Sequence, residues 1–97
     1  MKHTLENNTL TFYLEGELNS YTSNDVEKEI ETVMSENAFD KVVLDLKDLV
    51  YISSAGLRII VRIKQRCDDT LLINTPSAIY DIFKMVGFQN MIKIEKL

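Results

Sequence analysis

The sequence is poor in the residues that catalysis and metal binding use most. Its one cysteine, Cys67, cannot close an intrachain disulfide and has no Cys or His at metal-ligand spacing, so it reads as a small buried apolar residue. His3 is the only histidine, and it falls where chain termini usually fray; a general base there would lack a fixed partner. Three glycines are too few for the usual phosphate-cradling loop, and no G-x-x-x-x-G-K-[ST] or G-x-S-x-G pattern is present. There is no tryptophan and only one proline. Aliphatic runs stop at three residues, as in Ile59–Val61, far short of the roughly 20 that a membrane span needs. The start, "MKHTLENNTL", shows no apolar export signal, which makes a cytoplasmic location the default expectation.

What remains is an ordinary globular composition, 45% hydrophobic and 27% charged, consistent with one domain over residues 1–97. The net charge of −4 disfavours a direct nucleic-acid role or attraction to anionic membranes.

Periodicity then orders the chain. Leu10, Phe12, Leu14 and Leu18 alternate with polar residues as in a half-buried strand, with Met1–Glu6 as a hairpin partner across Asn7-Asn8. Val26, Ile30, Val33 and Met34 mark an amphipathic helix, capped by Thr22 or Ser23, with Asp25 at its positive end. "VVLDL" reads as a strand covered on both faces. The next helix carries Leu57, Ile60 and Val61 on one side and a basic row, Arg58, Arg62 and Arg66, on another. "TLLIN" is a further strand. "TPSAIYDIFKMVGF" is a helix with Thr75 as N-cap, Pro76 at the first position, a stripe of Ile79, Ile82, Phe83 and Val86, and Gly87 as left-handed stop. "MIKIEKL" closes the chain as a strand. The order β-β-α-β-α-β-α-β predicts an α/β fold, a mixed sheet of about five strands with helices as right-handed crossovers.

Ligands in open sheets of this class sit outside the carboxyl ends of strands. "LNSYT" and "YISSAG" lie at two such ends and are expected to be neighbours. Asp45 and Asp48 lack further oxygen ligands at matching spacing and read as strand-end and turn carboxylates, so no metal and no cofactor is expected. Ser53 and Ser54 have no base and orienting group to make either a nucleophile, and no catalytic residue is assigned. At a helix start, one serine can serve as N-cap, worth about 1 kcal/mol. The other, if exposed, could carry a phosphate, favoured by the helix dipole and adding about two negative charges. By position alone the cap is the commoner role.

Three stretches, "GELN", "VVLDLKDLVYISSAGLRII" and "IFKMVGF", together resemble the STAS-domain proteins that act as anti-sigma factor antagonists in bacterial partner switching; the middle stretch is the most specific. The resemblance implies a non-catalytic STAS fold that binds an anti-sigma factor serine kinase, is inactivated when that kinase phosphorylates it, and is reset by a PP2C-type phosphatase, so regulating sigma-factor-dependent transcription. Ser54, two residues before the glycine, matches the phosphorylated serine. Ser53 and Asn19 stand where the family usually has aspartate. Either phosphorylation then makes a larger relative change in surface charge, or a kinase that reads an acidic surface is not the partner. The implied partner surface comprises Asn19, Ser20, Tyr21, Thr22, Ser53, Ser54 and Arg58. The alternative is an unphosphorylated STAS scaffold subunit of a transporter or signalling complex, with Ser54 only a cap.

Overall fold

The computed structural model describes all residues, 1–97. Its elements are β1 (Lys2–Glu6), β2 (Thr9–Leu18), α1 (Ser23–Glu36), β3 (Lys41–Ile52), α2 (Ser54–Arg66), β4 (Thr70–Thr75), α3 (Ser77–Met85), a 3-10 turn (Phe88–Asn90) and β5 (Lys93–Lys96). This is the expected order and a mixed α/β sheet. The five strands lie in sequence order; β1 is antiparallel to β2, and every later pair is parallel. Asn7 and Asn8 make the hairpin turn with φ of 52° and 62°, the left-handed conformations that asparagine tolerates. His3 does not fray: it sits in β1, its ring 6.1 Å from that of Phe12.

Strand order decides where the helices go. Each β-α-β crossover moves one place in the same direction across the sheet, and with the right hand that such connections generally take, α1, α2 and α3 all fall on one face. The core agrees. A single cluster joins Leu10, Phe12, Leu44 and Leu72 of the strands to Ile30, Ile60, Ile79 and Phe83 of the helices. In α2 the buried stripe is Gly56, Ile59, Ile60 and Ile63, while Leu57 and Val61 are half-buried at its flank. The Arg58, Arg62 and Arg66 row is exposed, and Arg62 Nη1 lies 2.8 Å from both carboxylate oxygens of Glu27 on α1. Cys67 is buried at the end of α2.

Four expectations need correction. Thr75 is not the cap of α3: it ends β4, fully buried, with its carbonyl accepting from the Leu97 N–H at 2.9 Å. The cap position belongs to Pro76, whose ψ of 149° is non-helical and whose carbonyl receives the Tyr80 N–H at 2.8 Å. Val86 is half-exposed at the helix end and leaves the apolar stripe, whereas Gly87 does take the left-handed conformation, φ 79°. Asp45 and Asp48 are neither strand end nor turn, because β3 runs on for twelve residues and both lie inside it. Two bulges against β2 bend that long strand, one between Asp45 and Asp48 and one at Val50. Lastly, Thr22 occupies the cap position of α1 but gives it no side-chain bond, and Ser23 is a buried residue of the first turn.

The buried Thr75 hydroxyl has no hydrogen-bond partner. A buried, unpaired hydroxyl costs roughly 1–3 kcal/mol. Thr75→Val keeps the shape and removes that cost, so the urea midpoint is expected to rise, by the equivalent of about 1 kcal/mol; a lower midpoint would show that the hydroxyl is satisfied in solution.

Candidate functional site: the carboxyl ends of the second and third strands

The "LNSYT" and "YISSAG" segments are neighbours. Leu18 and Ile52 are register partners at the ends of β2 and β3, and the Ser53 N–H donates to the Leu18 carbonyl at 2.9 Å. The sheet thus fixes the loop entering α1 against the loop entering α2.

At the start of α2 the two serines divide the work. Ser53 is extended (φ −97°, ψ 176°), its carbonyl receives the Leu57 N–H at 2.9 Å, and its hydroxyl accepts from the Gly56 N–H at 3.4 Å. It is the N-cap. Ser54 is the first helical residue, exposed, with no hydrogen bond holding its hydroxyl. The orphan N–H groups and the positive end of the α2 dipole lie at this turn.

Gly56 makes the close approach possible. A β-carbon there would lie 2.7 Å from Ile52 Cγ1 and 2.8 Å from Leu18 Cγ, so only glycine lets α2 start this close to both strand ends.

Asn19 builds the facing loop. Its Oδ1 accepts from the backbone N–H groups of Tyr21 at 2.8 Å and Thr22 at 3.1 Å, an Asx turn, and its Nδ2 donates to Glu17 Oε1 at 3.3 Å. The Thr22 hydroxyl is turned back into the same loop, accepting from the Asn19 N–H at 2.9 Å and donating to the Glu17 carbonyl at 2.8 Å. That is why it does not cap α1. The loop leaves Ser20 exposed and holds Tyr21 out, 91% exposed.

Of the residues singled out from the sequence, Asn19, Ser20, Tyr21, Thr22, Ser53 and Ser54 therefore share one end of the sheet, and Arg58 stands exposed one helical turn beyond Ser54. Sequence reasoning missed Val50 and Tyr51, which are 70% and 47% exposed at the same end of β3. The only local signal was the tyrosine in an otherwise aliphatic run; the bulge that turns Val50 outward comes from pairing with β2. His3 lies on the edge strand, two strands from β3. A cleft of about 180 Å³ opens nearby between β2 and α1, with Leu14, Leu18, Val26 and Leu49 as walls and Glu15 and Glu29 among its polar groups. Its carboxylates would repel a nucleotide phosphate.

The STAS-domain family profile matches residues 2–96. The chain belongs to the STAS-domain family. Solved structures share the fold of this STAS domain. An assigned anti-sigma factor antagonist of Thermotoga maritima aligns with a TM-score of 0.89 at 17% identity, over 99% of this chain and 86% of that one. The anti-sigma factor antagonist SpoIIAA in its unphosphorylated form aligns at 0.76 and 18%, over 96% and 87%; its phosphorylated form, from Bacillus, aligns at 0.67. A sulfate transporter family protein of Wolinella succinogenes aligns at 0.75 and 14%, over 95% and 80%.

Proposed function

We propose that this STAS domain is a non-catalytic anti-sigma factor antagonist of the bacterial cytoplasm. Its partner is an anti-sigma factor serine kinase; phosphorylation of Ser54 ends the binding, and a PP2C-type phosphatase restores it. The observation that carries this reading is the division of labour between Ser53 and Ser54. The cap is supplied by Ser53, so the Ser54 hydroxyl is exposed and free for modification, and a phosphate on it would not disturb the cap. The added charge and bulk would fall at the end of the sheet where Tyr21, Val50, Tyr51 and Arg58 are exposed, acting at the surface without melting the fold. Aromatic and arginine side chains of this kind are enriched in protein interfaces. The test is to identify what co-purifies with the protein before and after phosphatase treatment. An ATP-binding kinase enriched after treatment supports the proposal, and its absence in both states contradicts it.

The likeness to a sulfate transporter family protein favours one rival, a STAS scaffold subunit in which Ser54 is never modified. A stable membrane-protein complex indifferent to phosphatase would select it.

Asn19 in place of the family's usual aspartate has a local reason. An aspartate could accept the same two N–H bonds, but it would lose the amide that donates to Glu17 and set two carboxylates side by side. Asn19→Ala, which deletes the Asx turn, is expected to lower stability by about 1 kcal/mol. Asn19→Asp should cost no more than about 0.5 kcal/mol at this exposed site. Thermal melts of both variants check the order; an aspartate variant less stable than the alanine one would contradict the turn assignment.

A further inference from the structure

The face of the sheet opposite the helices has no covering element. Sheets of mostly parallel strands are generally covered on both faces, and this one is covered on one because its strand order never reverses. Val43 is the one buried hydrophobic residue outside the helix-covered core. Beside it on the bare face lie Leu71 and Ile73, half-buried, with Tyr13 and Thr11 on the other side.

The register arranges this face in three rows. The middle row runs Thr4, Thr11, Val43, Leu71, Lys93. On one side of it lie Lys2, Tyr13, Asp45 and Ile73, and on the other Glu6, Thr9 and Lys41. Lys2 stands over the Tyr13 ring, 5.1 Å from its centre, which confirms that this row shares the bare face. The charges on the two sides are opposite at matching positions: Lys2 against Glu6 on β1, and Asp45 against Lys41 on β3.

We infer that the bare sheet face is a contact for a second copy of this chain, packed sheet on sheet about a two-fold axis along the middle row. That rotation sets Lys2 of one copy opposite Glu6 of the second copy, and Asp45 opposite Lys41, on both sides of the axis, while Val43 and Leu71 meet their own counterparts at the centre; Lys93, at the edge of the row, faces its own counterpart too, a like-charge contact that weakens the pair. An unrelated partner has no reason to match this antisymmetry, whereas an isologous contact requires such self-complementarity. Five strands spaced about 4.8 Å, each about five residues long on this face, span about 24 by 17 Å, or roughly 400 Å² per copy. A standard interface uses about 800 Å² per partner, so the dimer is small and reversible. The contact lies on the sheet face and needs neither kinase nor phosphate, so its failure would leave the Ser54 proposal untouched.

Sedimentation equilibrium over a wide concentration range tests it on the purified chain. The average mass should climb toward twice that of the chain as concentration rises. Leu71→Glu, placing two carboxylates face to face at the centre, should weaken dimerisation at least tenfold. Lys2→Glu and Glu6→Lys, both exposed on the edge strand, should each weaken it about two- to fivefold, and the double reversal should restore it. Monomer at every concentration, a Leu71→Glu dimer as tight as the original, or a double reversal no better than the singles would each overturn the inference. The Lys2 and Glu6 series decides the matter should Leu71→Glu fail to fold.

Discussion

Ser54→Asp is expected to weaken binding to the anti-sigma kinase about 10- to 100-fold, while Ser54→Ala binds like the original chain. The magnitude follows from setting a charge into an interface that has no partner for it, which costs on the order of 1.4–2.8 kcal/mol, each 1.4 kcal/mol being tenfold. Stability should move the other way. Ser54 is exposed at the first position of α2, where a carboxylate gains about 0.3–1 kcal/mol from the helix dipole. Ser54→Asp should therefore melt at the same temperature as the original or slightly above it. Opposite signs for folding and binding separate a switch from a damaged helix start. Isothermal titration calorimetry and thermal melts of the same samples read both, and equal binding by the alanine and aspartate variants would contradict the mechanism.

The second large effect is expected at Gly56. Alanine in a helix is ordinarily better than glycine by about 1 kcal/mol. Here the added methyl would lie 2.7 Å from Ile52 Cγ1 and 2.8 Å from Leu18 Cγ, both in side chains that are nearly fully buried. Close-packed cores resist such insertions at about 1–3 kcal/mol, before counting the displacement of α2 from the strand ends. Gly56→Ala should thus cost a net amount of about 1 kcal/mol and lower the melting temperature by roughly 4–8 °C. Gly56→Val, larger and β-branched, should cost several times as much. Kinase binding should fall with both, because Leu18 and Ile52 anchor the two loops that frame Ser54. A Gly56→Ala variant more stable than the original would show that the helix start is not held against those strands.

Local rules succeeded where local chemistry decides conformation. Asn7-Asn8 and Gly87 adopt the positive φ that their side chains, or lack of one, permit, and the helix and strand order follows from apolar periods. At Thr75 the local signal is ambiguous, because proline's fixed φ of about −65° suits both the cap and the first helical position, so "TP" does not say which residue begins the helix. Length misled at β3. "VVLDL" is only its first half, and the rest is held extended by β2 through two bulges that no local pattern announces.

The site was legible in outline and not in its division of roles. The positions of Ser53 and Ser54 at a helix start followed from the sequence, but which hydroxyl turns toward the Gly56 N–H depends on where the strand ends and the helix begins. From the sequence, Asn19 shows only the charge it lacks; its Asx turn depends on a fold-back of three residues that composition does not reveal. The bare sheet face was beyond reach, since it depends on strand order, and pairing order is not carried by any one segment.

The central claim is that Ser54, and not its neighbour, carries the phosphate. Tandem mass spectrometry of the peptide spanning Ser53 and Ser54, from protein isolated out of its native cells under several growth conditions, addresses it most directly. A single phosphate on Ser54, removed by a PP2C-type phosphatase, is the expected result; a phosphate on Ser53 alone, or an unmodified peptide under every condition, would contradict it.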